Sequence, residues 1–146
     1  MNKILINPST FCQLSDEPIN LLIKNGFDLS YNKTEKRISE VENIELIADC
    51  NGVIAGTEIY NKNVFEAAPN LEIISRLGVG LDNIDMNYVK KNNIHIITTT
   101  TTPENAVAEL SLGFMLNLLR GINTHNTNLK NNIWKKEMGS LLANKT

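Results

Sequence analysis

Short apolar runs alternate with segments of helical periodicity along the first hundred residues. Five such runs, separated by four stretches with apolar residues every three or four positions, predict a β-α-β-α-β-α-β-α-β order. Helices between successive strands are typical of a parallel sheet with helices on both faces. The second run alternates apolar and polar residues, as an edge strand does. We therefore expect a flavodoxin-like α/β fold with strand order 2-1-3-4-5. The predicted strands cover residues 3–7, 27–31, 52–57, 71–75 and 94–98.

Polar residues at the helix starts and the apolar spacing after them predict which faces are buried. The second predicted helix follows Ser39 with acidic residues in its first turn, as a capped helix does. Its buried face is expected to contain Val41, Ile44 and either Ile47 or Ala48.

Two glycines lie between the fourth predicted strand and the fourth predicted helix, residues 83–91. Because Gly78 and Gly80 lack a Cβ, backbone N–H groups in this loop can approach a small ligand closely. Asp82 or Asn83 is expected to cap the helix, whose N-terminus favours an anion. These features predict a site for a carboxylate or a phosphate. The other interpretation is a plain βα turn whose glycines serve only its geometry.

Three loops follow predicted strands and contain small or turn-forming residues. They are residues 7–9, 55–57 and 78–80. Ligands of parallel α/β sheets bind beyond the carboxyl ends of the strands. We therefore expect the three loops to share one crevice.

A further helix is predicted after the threonine run at residues 98–102. Thr101 or Thr102 is expected to cap it, with Pro103 in its first turn. Apolar residues follow at helical spacing on two faces, and the helix is expected to reach about residue 131. A helix that is apolar on two sides is typically buried between two bodies, and this sequence supplies only one of them. The pattern indicates an incomplete chain.

Composition and charge narrow the class of protein. The 146 residues carry a net charge of −2 at pH 7 and no evident basic face, which argues against a nucleic-acid partner. Cys12 and Cys50 have no metal-ligand spacing and fit a reducing compartment, so we expect no metal. The start of the chain does not resemble a signal peptide, and the longest apolar stretch is too short to span a bilayer. We expect a cytoplasmic protein without membrane contact.

With these motifs in view, the sequence resembles the N-terminal part of D-isomer-specific 2-hydroxyacid dehydrogenases, most nearly the phosphoglycerate dehydrogenase-like branch. The resemblance covers nearly all of the chain. It implies a flavodoxin-like substrate-binding domain at residues 1–102 and an interdomain crossing helix at 103–132. Residues 133–146 would be a linker toward an absent nucleotide-binding domain. The segments that carry the resemblance are residues 55–58, 67–71, 75–85, 105–110 and 134–146.

The resemblance also implies a function and a set of site residues. The intact protein would be an NAD-dependent (or NADP-dependent) oxidoreductase, and a homodimer, that interconverts a D-2-hydroxy acid and a 2-keto acid. Hydride would pass between the substrate C2 and the nicotinamide. The substrate carboxylate would be held by backbone N–H groups of residues 77–80. The residues assigned to substrate binding are Arg76, Gly78, Val79 and Gly80, with Val79 and Gly80 preferred, and Asn105 and Ala106 would lie near the nicotinamide.

Several family features have no counterpart in this chain. The cofactor fingerprint G-x-G-x-x-G is absent, and the catalytic arginine, glutamate and histidine would lie beyond residue 146. We therefore expect no catalytic residue here, no activity of the chain alone and no strong NAD binding by it. His95 is expected to be a strand residue near the core, and His125 a surface residue. Some members carry Arg-Ser after the third strand, where this chain has Ala55-Gly56-Thr57, which weakens the case for phosphoglycerate as the substrate.

Two other functions were weighed against this one. A truncated gene product could be a stand-alone module that binds a small acid or pairs, for instance with a second copy, through its apolar helix. A receiver domain of the response-regulator type would need acidic residues after the first strand. Asn7-Pro8 stands there instead, which argues against a receiver.

Overall fold

A computed structural model of the chain describes residues 2–34 and 36–144. The chain divides into two compact units, Met1–Thr102 and Pro103–Thr146. The strands of the first unit are β1 (Lys3–Ile6), β2 (Asp28–Tyr31), β3 (Gly52–Ala55), β4 (Ile73–Arg76) and β5 (His95–Thr98). Its helices are α1 (Glu17–Lys24), α2 (Glu40–Ile47), α3 (Lys62–Glu66) and α4 (Met86–Lys91), and the second unit contains α5 (Glu104–Arg120) and α6 (Ile122–Lys130).

The five strands form one parallel sheet in the order β2-β1-β3-β4-β5. This confirms the predicted flavodoxin-like order and the helix-after-strand rhythm behind it. The register places Leu5 beside Val53 and Val53 beside Ile74, so these side chains share one face of the sheet.

The main core lies between that face and helices α2, α3 and α4. Phe65 of α3 is 2% exposed and stacks between the rings of Tyr60 and Tyr88, at centroid distances of 6.4 and 5.2 Å. Burying one large apolar side chain contributes about 1.5–3 kcal/mol, so this cluster accounts for much of the stability of the unit. It also fixes Tyr60, which lies just after the loop that follows β3.

The opposite face of the sheet is covered by α1 on one side only. Ile4 and Ile6 of β1 are 8% and 4% exposed, whereas Ile97 of β5 is 57% exposed. His95 shares this uncovered edge and is exposed, so the expectation that it lies near the core was wrong. Its side chain lies on the same face of the sheet as that of Ile97, two positions along β5.

The buried face of α2 differs from the predicted one. Ile47 is fully buried, but Val41 is 65% exposed and Ala48 is exposed as well. The position one turn before Ile47 on the buried face is occupied by Asn43, which is fully buried and hydrogen-bonded. Apolar periodicity alone does not predict that Asn43 is buried, because asparagine side chains are mostly exposed in proteins.

Helix α4 begins later than predicted, at Met86. Its cap is Asp85, whose Oδ1 accepts hydrogen bonds from the backbone N–H groups of Asn87 and Tyr88 at 3.1 and 3.0 Å. The prediction that Asp82 or Asn83 caps this helix was therefore wrong. Asn83 instead bonds to another loop.

The second unit is a pair of helices divided at Gly121, which has φ +60°. The single helix expected to about residue 131 is therefore interrupted by a left-handed residue. Pro103 stands at the N-cap of α5 without a side-chain cap, so neither Thr101 nor Thr102 caps it. Within the residues described, no helix is both long and apolar enough to cross a membrane.

Candidate functional site

The loops that follow β1, β3 and β4 meet at the carboxyl edge of the sheet. They surround a cavity of about 240 Å³, and a second cavity of about 610 Å³ lies beside it. Arg37, Thr57 and Arg76 line both cavities. The smaller cavity is lined by Pro8, Ser9, Thr10, Lys36, Arg37, Gly56, Thr57, Glu58, Arg76 and Leu77.

The loop after β4 contains both engaged and unengaged backbone N–H groups among the residues that the structure describes. The N–H of Leu77 donates to the Ala55 carbonyl at 2.9 Å, and that of Gly78 donates to Thr99 Oγ1 at 2.8 Å. The N–H groups of Val79 and Gly80 have no acceptor among the residues that the structure describes. Both residues are exposed. Two adjacent N–H groups open to solvent can bind a carboxylate oxygen.

The Arg76 side chain stabilises this loop through hydrogen bonds to two of its carbonyl groups. Its Nε donates to the Gly80 carbonyl at 3.1 Å, and its Nη1 donates to the carbonyl of Leu77. A Cβ on Gly78 would lie 2.8 Å from Arg76 Nη1, and the φ of Gly78 is +140°. Position 78 therefore requires glycine for its backbone angle and for the close approach of the guanidinium. Nη2 of Arg76 donates to no acceptor in the described part of the chain.

The loop after β3 is held by Glu58 and Asn83. The Glu58 side chain is 4% exposed, and its Oε2 accepts the Gly56 N–H at 2.8 Å. Asn83 Nδ2 donates to the carbonyls of Glu58 and Gly56 at 2.6 and 3.1 Å. A Cβ on Gly56 would lie 2.9 Å from Glu58 Oε2, so this loop conformation requires glycine at position 56.

A buried polar network lies beneath the crevice. Asn7 Nδ2 donates to Asn43 Oδ1 at 2.9 Å and to the Tyr60 hydroxyl at 2.7 Å, while Asn43 Nδ2 donates to the Ile59 carbonyl at 2.8 Å. Burial raises the pKa of Tyr60 far above its ordinary value, so the phenol remains protonated. The network ties the end of β1 to α2 and to the loop after β3.

The predicted site residues fall into two groups. The structure brings Arg76, Gly78, Val79 and Gly80 together in one loop of the first unit. Asn105 and Ala106 belong to the second unit, where both are exposed in the first turn of α5.

Three site residues were missed by the sequence interpretation. Arg37 lies in a loop that carries no motif, Glu58 is a buried acid next to a turn, and Asn83 was predicted as one of two possible helix caps. The partners of Asn83 lie 25 and 27 positions away, so no local pattern identifies its role.

The loop after β4 does not fit a dinucleotide. Gly78-x-Gly80 lacks the third glycine, and the next helix has six residues and begins only at Met86. A pyrophosphate site needs a helix N-terminus directly after the glycines. No group of three or more His, Cys, Asp or Glu side chains that could hold a metal ion is found among the described residues.

A flavodoxin-like sheet with ligand-binding loops at its carboxyl edge defines a class of α/β proteins that hold small ligands there. Within that class, the chain matches the D-isomer specific 2-hydroxyacid dehydrogenase catalytic domain family over residues 8–139. The chain belongs to this family.

Named relatives support the assignment. Hydroxypyruvate reductase of Thermotoga maritima is 32% identical over 90% of this chain and 43% of its own length. D-3-phosphoglycerate dehydrogenase of Archaeoglobus fulgidus is 33% identical over 91% of this chain and 25% of its own length. The chain thus spans less than half of the length of either relative.

Solved structures share the fold. The NAD⁺-bound 3-phosphoglycerate dehydrogenase of Entamoeba histolytica superimposes with a TM-score of 0.71 and 25% identity, covering 97% of this chain and 43% of that one. A Thermus thermophilus protein superimposes with a TM-score of 0.82 over 94% of this chain and 45% of that one. At 19% identity, the latter likeness concerns the fold alone.

Proposed function

We propose that this chain supplies the substrate-binding side of an NAD-dependent or NADP-dependent dehydrogenase that interconverts D-2-hydroxy acids and 2-keto acids. The N–H groups of Val79 and Gly80 bind the substrate carboxylate. Arg76 and Gly78 hold the loop in the conformation that presents them. One observation carries this proposal: the N–H groups of Val79 and Gly80 have no acceptor in the described residues, while the neighbouring N–H groups of Leu77 and Gly78 are engaged by the protein.

The local geometry favours an anion at this position. Arg76 adds a positive charge beside the two donors, and its Nε and Nη1 hold the loop by donating to the carbonyls of Gly80 and Leu77. A preorganised loop lowers the cost of ordering on binding, which favours the binding of a small ligand. The chain's part in the reaction is to bind and orient the acid.

The chemistry of hydride transfer belongs to the nicotinamide cofactor. We assign its binding and the catalytic proton transfer to a nucleotide-binding domain outside these residues, because Gly78-x-Gly80 lacks the third glycine of the cofactor fingerprint. Residues 103–132 would connect to that domain, with Asn105 and Ala106 near the nicotinamide, and residues 133–146 would be a linker. Alone, the chain would be inactive and bind NAD only weakly.

The apolar side chains of α5 support a role in assembly. Phe114 and Leu118 are 59% and 81% exposed, although such side chains are normally covered. A nucleotide-binding domain and a second copy of the protein, in a homodimer, are the partners we propose for this helix. A stand-alone binding module that pairs through α5 is the competing proposal. We also propose a cytoplasmic location for the protein.

The proposal is tested by titrating the ¹⁵N-labelled chain with D-lactate. The amide signals of Val79 and Gly80 should shift in a saturable manner, whereas those of Leu77 and Gly78 should shift less because their N–H groups are already bonded. D-lactamide, which is neutral, is the matched ligand control and should cause no such shifts at the same ionic strength. Equal responses to D-lactate and D-lactamide would contradict carboxylate binding by this loop.

A further inference from the structure

The dipeptide Asn-Gly occurs twice in the chain, at Asn25-Gly26 and at Asn51-Gly52. An asparagine before glycine can lose its side-chain amide without an enzyme, because glycine has no Cβ to hinder attack by its backbone nitrogen. That nitrogen attacks the asparagine Cγ, an N–Cγ bond forms and the Cγ–Nδ2 bond breaks. Nδ2 leaves as ammonia with the proton of the attacking N–H. Water then opens the cyclic imide at either carbonyl, which yields aspartate or isoaspartate.

We propose that Asn25 is a site of spontaneous deamidation in the folded protein, and that the fold protects Asn51 from the same reaction. Ring closure brings the glycine nitrogen against the asparagine Cγ, so the hydrogen bonds that hold both residues must first open. Segments of one protein differ widely in the free energy of such local opening. The two identical dipeptides should therefore react at rates that depend on where each one lies.

Asn25 lies at the exposed C-terminal end of α1, where it is the C-cap residue. Its Nδ2 donates to the Leu21 carbonyl at 2.7 Å, and the Gly26 N–H donates to the Ile23 carbonyl at 2.9 Å. Both bonds belong to the last turn of an eight-residue helix, none of whose residues is buried, and such helix ends open at little cost. A Cβ on Gly26 would contact nothing within 4 Å, so the imide has room to form.

Asn51 lies directly before β3, a strand with neighbours on both sides. Its N–H donates to the Lys3 carbonyl at 2.8 Å, and its Oδ1 accepts the Lys3 N–H at 3.0 Å. Gly52 is buried, and a Cβ there would lie 2.7 Å from Ile4 Cδ1 and 2.9 Å from Ile73 Cγ2. The backbone at this point cannot rotate without displacing these side chains, so Asn51 can react only when the sheet itself opens.

The C-terminal end of α4 separates the effect of the glycine from that of the helix end. Asn92 is an exposed C-cap residue whose Nδ2 donates to the Tyr88 carbonyl at 2.9 Å, the same contact four residues back that Asn25 makes. The residue after it is Asn93, which has a φ of +53° but carries a Cβ. Asn92 should therefore react far more slowly than Asn25.

Deamidation at Asn25 would alter α1 and leave the crevice intact. The new carboxylate cannot donate to the Leu21 carbonyl, and it adds a negative charge at a helix C-terminus, where the helix dipole disfavours it. Isoaspartate also lengthens the main chain by one methylene between α1 and β2. Asp28, close after the site, donates its N–H to the Asn2 carbonyl at 3.0 Å, so the change lies at the amino edge of the sheet, opposite the ligand-binding loops. The product should have a less stable α1 and an unchanged affinity for D-lactate.

The test keeps the ¹⁵N-labelled chain at pH 8 and follows the amide signals of the residues after each asparagine, Gly26, Gly52 and Asn93. Tandem mass spectrometry of tryptic peptides locates each product. In the folded chain, the original Gly26 signal should be lost at least about a hundredfold faster than that of Gly52, because β3 opens only with the sheet. In the chain unfolded by urea, the two signals should be lost at similar rates, since the dipeptides are the same.

Two variants separate the chemistry from the position. Asn93→Gly supplies the glycine at the end of α4, where the positive φ suits it, and should make Asn92 react at about the rate of Asn25. Asn25→Gln keeps a side-chain amide but cannot close the five-membered ring, and it should abolish the reaction at the end of α1.

Loss of the Gly52 signal as fast as that of Gly26 in the folded chain would overturn the proposal. A Gly26 signal that the fold protects as strongly as that of Gly52, relative to the unfolded chain, would overturn it too. An intact Asn92 in the Asn93→Gly variant would contradict the argument from the helix end. None of these results bears on carboxylate binding at Val79 and Gly80, which the D-lactate titration tests separately.

Discussion

Asn83 is expected to determine the conformation of the loop after β3, although it belongs to the segment before α4. Its Nδ2 donates to the carbonyls of Glu58 and Gly56 at 2.6 and 3.1 Å. Asn83→Ala removes both hydrogen bonds and leaves two partly buried carbonyls without their donor. The backbone carbonyl of Asn83, which accepts the Tyr60 N–H at 2.8 Å, is unaffected by the change.

The loss of stability follows from these contacts. A neutral hydrogen bond contributes about 0.5–1.5 kcal/mol to the free energy of unfolding, so two of them amount to about 1–3 kcal/mol. Asn83 is half-buried, and water can reach part of the vacated space, which favours the middle of that range. Since the urea m-value of a small domain is about 1–3 kcal/mol/M, the urea midpoint should fall by about 1 M.

The measurement is urea unfolding followed by the NMR signals of β3 and β4, with Asn87→Ala as the control. Asn87 is exposed on α4 and its side chain makes no hydrogen bond in the described structure, so this variant should change stability little. Asn83→Ala should also weaken D-lactate binding, because the displaced loop borders Gly80 and Arg76. A midpoint indistinguishable from that of Asn87→Ala would refute the assignment of Asn83 as the residue that holds this loop.

Two further predictions concern the end of β5 and the cysteines. Thr99→Val removes one acceptor of the Gly78 N–H, which also donates to the Arg76 carbonyl at 2.9 Å, and should weaken D-lactate binding several-fold. Thr100→Val, at an exposed neighbour, should not weaken it, and NMR titration compares the two variants. Burial, and then the adjacent carboxylate, raises the pKa of the Cys50 thiol from 9.0 to about 11, so at pH 8 iodoacetamide should label half-exposed Cys12 far faster than Cys50. The folded protein keeps the Cys50 thiol protonated to a higher pH than the unfolded chain does, so the free energy of unfolding falls as the pH rises from 9.0 to about 11. The urea midpoint should fall over the same range, and Cys50→Ala should flatten this decline.

Local patterns were sufficient for the architecture. The alternation in residues 27–31 placed β2 at an edge, and with helices between successive strands this favoured the strand order that the sheet shows. The paired glycines at 78 and 80 identified the loop whose N–H groups are exposed. Both features depend only on residues that are close together in the sequence.

The polar contacts that shape the crevice were not predictable in this way. Asn43 bonds to Asn7, which is 36 positions away, and Asn83 bonds to residues 25 and 27 positions away. An asparagine at these positions is compatible with an exposed helix face or a cap, and only the fold supplies the distant partner. For the same reason, no sequence pattern predicts that Arg37 and Arg76 line the same cavities.

The account is tested most directly by joining the chain to a nucleotide-binding domain. The segment of Thermotoga maritima hydroxypyruvate reductase that matches this chain is replaced by residues 1–146, and NADH oxidation is measured with several 2-keto acids. The 146-residue chain alone should oxidise no NADH, and the joined protein should oxidise it at a rate that falls when D-lactate is added as a competitor. A joined protein that is folded and binds NADH, shown by circular dichroism and NADH fluorescence, yet reduces none of the 2-keto acids would contradict the account. NADH oxidation by the chain alone would contradict it as well.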